Sequence, residues 1–226
     1  MAMHEGHYQR ALAYLEACDW AAAEGVLLQA RLTAGQRDLA VADALAYALL
    51  MQGDYEGCAR VLEPVLDHPQ RSFWIHHKYG DALRGLHDLE RAAQHFRQAL
   101  ADGSTSPLTA RNLMQVLHEV DPSLALAELE AWPKPLPPER LAGVQQAAAL
   151  VAGLDLAAWL LRHNLADAVL RRRLLEQRLY SLELDGLETP VMQPILPTDE
   201  ASPAERWCEA LRERLERMGL SAGFAG

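Results

Sequence analysis

The stretch 73-FWIHHKYGDALRGLHDLERAAQHFRQALADGSTSP-107 decides the fold. It holds two apolar patterns with helical spacing, back to back. Ala82, Leu83 and Leu86 mark an inward stripe on the first. Leu89, Ala92, Ala93, Phe96, Ala99 and Leu100 mark one on the second, at i, i+3, i+4 and i+7. The polar break Gly85-Leu86-His87-Asp88 separates them. Such a helix pair leaves apolar faces uncovered and needs neighbours of its own kind.

Those neighbours lie upstream. Counting back from Ala92 in steps of 34 and 35 residues reaches Cys58 and Ala23. Asp19, Asp54 and Asp88 each precede a second helix, where a short carboxylate caps free N–H groups. Trp20, Tyr55 and Leu89 follow as bulky anchors. Leu27, Leu62 and Phe96 come four residues after the small position, then Ala30, Val65 and Ala99 three later. The first helices, residues 4–17, 39–52 and 73–86, share a small column at Ala11, Ala46 and Gly80. A large column follows at Tyr14, Leu49 and Leu83.

This pattern resembles the tetratricopeptide repeat family over residues 4–132. The match rests on Tyr14, Ala23, Ala30, Ala46, Gly80, Ala92, Phe96 and Ala99. His7, Ala42 and His76 stand where that family has a Trp, and the closing Pro is displaced to Pro69 and Pro107. The fold class expected is all-α: a solenoid of antiparallel helix pairs, units 4–36, 39–70, 73–106 and 108–132. In the fourth, Leu113, Met114 and Leu117 face inward, and the helix opened by Asp121-Pro122 falls one residue out of phase. The Pro-rich segment 132–138 is a stiff break. Helices over 139–152, 156–162 and 165–182 follow, so that residues 133–182 cap the solenoid. Residues 183–202 read as an extended linker. Ser202-Pro203-Ala204-Glu205 opens a C-terminal amphipathic helix, 203–219, whose stripe Trp207, Leu211, Leu215 and Met218 is a candidate docking or oligomer face.

The resemblance implies that outward positions of the first helices line a groove for a peptide or protein partner. On this chain the candidates are Tyr8, Tyr47, Trp74, His77, Lys78, Asp81, Arg84, Arg111, Asn112 and Gln115, with Gln9, Leu12, Asp43, Leu50 and His118 alongside. Lys78, Arg84, Arg111 and Asn112 would suit an acidic peptide through charge-assisted hydrogen bonds. The competing account is a solvated helix face. Trp74 has two as well: a groove anchor, or packing on the preceding unit near Val65 or Pro69. Some relatives clamp a terminal carboxylate from their first three units, but here Tyr8 and Leu12 stand at the corresponding places of unit one.

Composition sets outer limits. The 226 residues are half apolar and carry a net charge of −10, which argues against nucleic-acid or membrane-surface binding. Arg171, Arg172, Arg173 and Arg178 form one basic cluster, read as pairing with acidic helices. Three widely spaced cysteines suggest free thiols in a cytoplasmic protein. The first ten residues carry no apolar core of a secretory signal. The spacing of HEGH is not that of a zinc helix, adjacent His76 and His77 point to different faces, and no nucleophile or phosphate-loop motif appears. No cofactor or metal is expected. The reading is a non-catalytic interaction adaptor. Its alternatives are an accessory helical region of an enzyme system and a homo-oligomer built through the C-terminal helix.

Overall fold

A computed structural model describes residues 3–150 and 155–166. All regular structure among them is helical: α1 (Met3–Glu16), α2 (Trp20–Ala34), α3 (Leu39–Gln52), α4 (Tyr55–Leu62), α5 (Phe73–Gly85), α6 (Leu89–Ala101), α7 (Pro107–Val120), α8 (Pro122–Ala131), α9 (Pro138–Leu150) and α10 (Asp155–Arg162). The expected helix after residue 166, the linker, the C-terminal helix with Trp207, Leu211, Leu215 and Met218, and the basic cluster lie outside the described residues.

One compact unit runs to Gly143 and a second begins at Val144. In the first, each helix from α1 to α8 packs on the next. α3 also touches α1 and α5, and α5 touches α7, so the odd-numbered helices form a contiguous row.

The reason for this regularity is visible at the turns. The N–H groups of Asp19, Asp54 and Asp88 each donate back to a carbonyl of the large column, Tyr14, Leu49 and Leu83, all at 2.9 Å. This is the six-to-one closure that ends a helix with a left-handed residue. That residue is Cys18 (φ 56°), Gly53 (φ 78°) and His87 (φ 60°) in turn. The Asp carboxylates then accept from Ala22, Gly57 and Arg91 N–H groups at 3.1, 2.8 and 3.4 Å, starting the next helix. Each Asp therefore ends one helix and begins another.

Counted from these caps, the second helices bury the same columns. Ala23, Cys58 and Ala92, then Leu27, Leu62 and Phe96, then Ala30, Val65 and Ala99 are all 0% exposed. α4 stops early because Pro64 has no N–H to give; a 3₁₀ turn over Glu63–Val65 carries the chain on, and Val65 still lands in the core.

The fourth unit locates its phase slip. α7 runs straight into its cap, Asp121, with φ −162°, and no left-handed residue intervenes. The turn is one residue shorter than its predecessors. Counted from Asp121 the columns fall back into place: Ala125 and Leu129 are fully buried and Trp132 nearly so. Leu86 departs from the expected inward stripe. α5 ends at Gly85, so Leu86 leaves the helical path and is 40% exposed.

Gly80 has a specific cause. A Cβ there would stand 2.9 Å from the Phe96 ring, where units one and two have the smaller Leu27 and Leu62 beside Ala11 and Ala46. Gly143 likewise lets the start of α9 lie against the first turn of α7, at Ala110 and Arg111. In the second unit Val144, Ala147, Ala148, Leu156, Ala157, Trp159 and Leu160 are buried. Gln145 donates to the Leu165 carbonyl at 2.6 Å, and His163 stacks on Trp159.

Candidate functional site

α5 carries Trp74, His77, Lys78, Asp81 and Arg84 at helical spacing, which brings them to one side of the helix. Tyr47, Leu50 and Met51 of α3 face them at the same spacing. With Tyr55 at the start of α4 and Leu108 of α7 they enclose a pocket of about 360 Å³, a volume within the range of small-ligand sites. Four of its walls are large apolar groups left open to solvent: Tyr47 (39%), Met51 (48%), Tyr55 (37%) and Leu108 (38%).

The Tyr55 wall depends on Gly85, whose position has no room for a Cβ against the Tyr55 ring. Trp74 is half-buried. It packs on Phe73 and meets His77 edge-on at 5.0 Å, and its indole also faces the Lys78 ammonium 6.0 Å away. It lines the pocket. Tyr47 is held by an edge contact from Trp20, 5.6 Å between centroids.

The polar groups of the site engage one another. Lys78 Nζ lies 2.7 Å from Asp43 Oδ1 and 5.7 Å from the Tyr47 ring centroid. That ion pair joins α3 to α5. Asp81 accepts from Asn112 Nδ2 at 2.7 Å, and His77 Nε2 and the Arg84 guanidinium stand 3.2 and 3.4 Å from its oxygens. Arg111 Nε donates to Asn112 Oδ1 at 2.9 Å. These bonds join α5 to α7.

Behind His77 the network continues inward. His77 Nδ1 lies 2.9 Å from Thr109 Oγ1, and Thr109 lies 2.8 Å from Ser104 Oγ. Ser104 Oγ accepts from the Ser106 N–H at 3.3 Å. One proton arrangement suits the row: Ser104 donates to Thr109 and Thr109 to His77 Nδ1, which leaves the Nε2–H beside Asp81. The order hydroxyl, imidazole, carboxylate is that of a nucleophile relay, but the Thr109 hydroxyl is fully enclosed and no substrate atom can reach it. The row fixes Asp81 and ties the α6–α7 loop to α5.

Two expected groove residues sit deeper than an outward position: His77, which still lines the pocket, and Asn112, which does not, are 4% and 2% exposed. Each reaches sideways between neighbouring helices, where Asp81 offers a half-buried carboxylate to be matched. The expected set of available cations is corrected too: Lys78 is paired with Asp43 and Arg84 with Asp81.

Tyr8 on α1 is not a pocket wall. Its half-buried phenol is pushed above its ordinary range by burial, then by the Asp43 and Asp38 carboxylates. Arg111 and Gln115 stand half-buried on α7, outside the pocket. Met51, Tyr55 and Leu108 were missed from sequence. Met51 carried a signal, since it is one helical turn beyond Tyr47; Tyr55 was read as a packing anchor and is also a wall.

A second histidine group lies between α5 and α6. His76 and His95 approach Nδ1 to Nδ1 at 2.9 Å and stack. Burial pushes both imidazoles down, helped by Arg71 at His76 and by His76 and then Arg91 at His95, which falls to about 4. Among the described residues no three His, Cys, Asp or Glu side chains are grouped as a metal ion would need, and no helix is long and apolar enough to cross a membrane. No protein-family model matches the chain, and no curated protein matches it.

Proposed function

We propose that α1 to α8 form a tetratricopeptide-like solenoid of four helix pairs, and that the protein is a non-catalytic adaptor. The row of odd-numbered helices makes the groove. A peptide or protein segment lies along it, centred on α5. The observation that carries this reading is the pocket between α3, α4, α5 and α7, whose walls leave Tyr47, Met51, Tyr55 and Leu108 exposed together. Apolar groups collected in a cleft are unfavourable in water unless something covers them. Aromatic walls are also the residue type that concentrates binding energy at protein interfaces.

The contact pattern supports the solenoid part. Consecutive helices pack in sequence, and odd helices meet odd ones, as a one-dimensional stack requires. The four Asp caps and the buried columns repeat with that stack.

The test is a photo-crosslinking residue placed at Met51 in the full chain, in its native cells. A discrete adduct should form there, and should vanish in Trp74→Ala. The same residue at Leu32, 79% exposed on α2, should give none. Equal adducts at both positions, or none at Met51, would overturn the groove.

A further inference from the structure

We infer that the groove selects an uncharged segment bearing a large apolar side chain, and that the charges around the pocket hold the groove itself together. This rests on the reading of the pocket as a binding groove and names what enters it.

The first ground is charge complementarity. A pocket that recognises an acidic peptide presents cations with unmet hydrogen-bonding capacity. Here the Lys78 ammonium is 2.7 Å from Asp43, and its side chain is only 13% exposed. Asp81 is enclosed by Asn112, His77 and Arg84. An incoming carboxylate at Lys78 must displace Asp43, which leaves a half-buried carboxylate without its partner, and one at Arg84 meets the Asp81 carboxylate already beside it.

The second ground excludes a cationic anchor. The place such a group would take, between aromatic faces and beside a carboxylate, is filled by the protein's own Lys78. It lies within 6.0 Å of both the Tyr47 and Trp74 rings.

The third ground is what remains. With Lys78 and Asp81 paired, the open walls are Tyr47, Met51, Tyr55 and Leu108. Met51 is unbranched and adapts to side chains of different shape. At about 360 Å³ the pocket lies near the lower end of small-ligand sites, which suits one large side chain. Specificity then comes from burial of that side chain, and affinity is nearly independent of salt, because no charge pair forms on binding.

A randomised linear peptide display library, selected on the full-length protein, tests this. Selected peptides should share one Leu, Ile, Met, Phe or Trp position with no fixed acidic or basic neighbour. Their affinity should change less than about twofold between low and high salt. It should fall about tenfold or more in Met51→Ala, as expected for loss of a buried apolar contact. Peptides with an invariant Asp, Glu, Lys or Arg, or a tenfold loss of affinity with salt, would overturn the inference and leave the groove standing. Selection of no peptide sensitive to Met51→Ala would overturn both. The salt dependence uses the unaltered protein, so it decides even where a variant fails to fold.

Discussion

Gly80 and Phe96 give the sharpest test of the packing. Gly80→Ala adds a methyl group whose carbon would stand 2.9, 3.0 and 3.1 Å from three carbons of the Phe96 ring. The ring is fully buried, so it has no free volume to turn into. Overpacking of this kind costs about 1–3 kcal/mol. Ala is also the better helix former, by about 1 kcal/mol. The single change should therefore lower stability by about 0–2 kcal/mol, the balance of those two effects. Phe96→Leu alone leaves a gap beside Gly80 and should cost about 1–2 kcal/mol. Together the two changes recreate the Ala46 and Leu62 pairing of unit two. The clash is then gone and the helix preference remains, so the double variant should be more stable than Phe96→Leu by about 1 kcal/mol. The coupling is about 1–3 kcal/mol, readable from urea unfolding midpoints at constant slope. Additivity within about 0.5 kcal/mol would refute the pairing of these columns.

Three further outcomes are expected. Asn112→Leu removes a donor from Asp81 and an acceptor from Arg111, so thermal unfolding should show a loss of about 1–3 kcal/mol; an unchanged midpoint would mean that the bridge between α5 and α7 carries no weight. Both His76 and His95 have depressed pKa values when folded, so the unfolded chain binds more protons as acid is added. Stability should be full above the ordinary histidine range and fall as pH drops from there towards about 4, the folded value of His95. Discounted for partial exposure, the loss is about 1–2 kcal/mol. His95→Gln should flatten that slope in urea titrations at several pH values, and a slope unchanged by it would assign the effect elsewhere. Burial pushes the Cys58 thiol up to about 12, whereas Cys18 is exposed. Iodoacetamide followed by mass spectrometry should modify Cys18 in the native protein and reach Cys58 after unfolding. Equal rates would show that the α4–α5 contact opens readily.

The helices were legible because their signals are local. α3 falls over residues 39–52 as its apolar columns predict, and each capping Asp sits where the break in pattern puts it. Ala23, Phe96 and Val65 were assigned to the core because a repeat offers three readings of each column. Leu86 was misplaced because helical spacing says nothing of where a helix stops; the left-handed residue at His87 does, and an ordinary histidine does not advertise it. The site was less legible for a related reason. Spacing places Trp74, Lys78 and Arg84 on one face of α5, but which cation meets which acid depends on residues about thirty positions away. Asp43 for Lys78, and Asn112 for Asp81, come from adjacent units, and no pattern within α5 names them.

One difference between the repeats accounts for the position of the pocket. In the first two units a bulky residue one place after the cap reaches towards the first helix of the next unit. In unit one Trp20 meets the edge of Tyr47, and in unit two Tyr55 meets Gly85. Trp20 thus braces one wall, while Tyr55 has no side chain opposite and itself becomes a wall. Gly85 is therefore a lever on the site that touches no charge in it. Gly85→Ala would push the Tyr55 ring away from α5 while leaving the Asp43–Lys78 pair and the donors around Asp81 in place. If the groove depends on apolar walls, peptide affinity should fall by about the tenfold expected for one lost buried contact, with a smaller change in thermal stability. If the paired charges held the ligand, affinity would survive the change. An intact affinity in a variant whose Tyr55 ring is shown to have moved would transfer the recognition from the walls to the ion pairs.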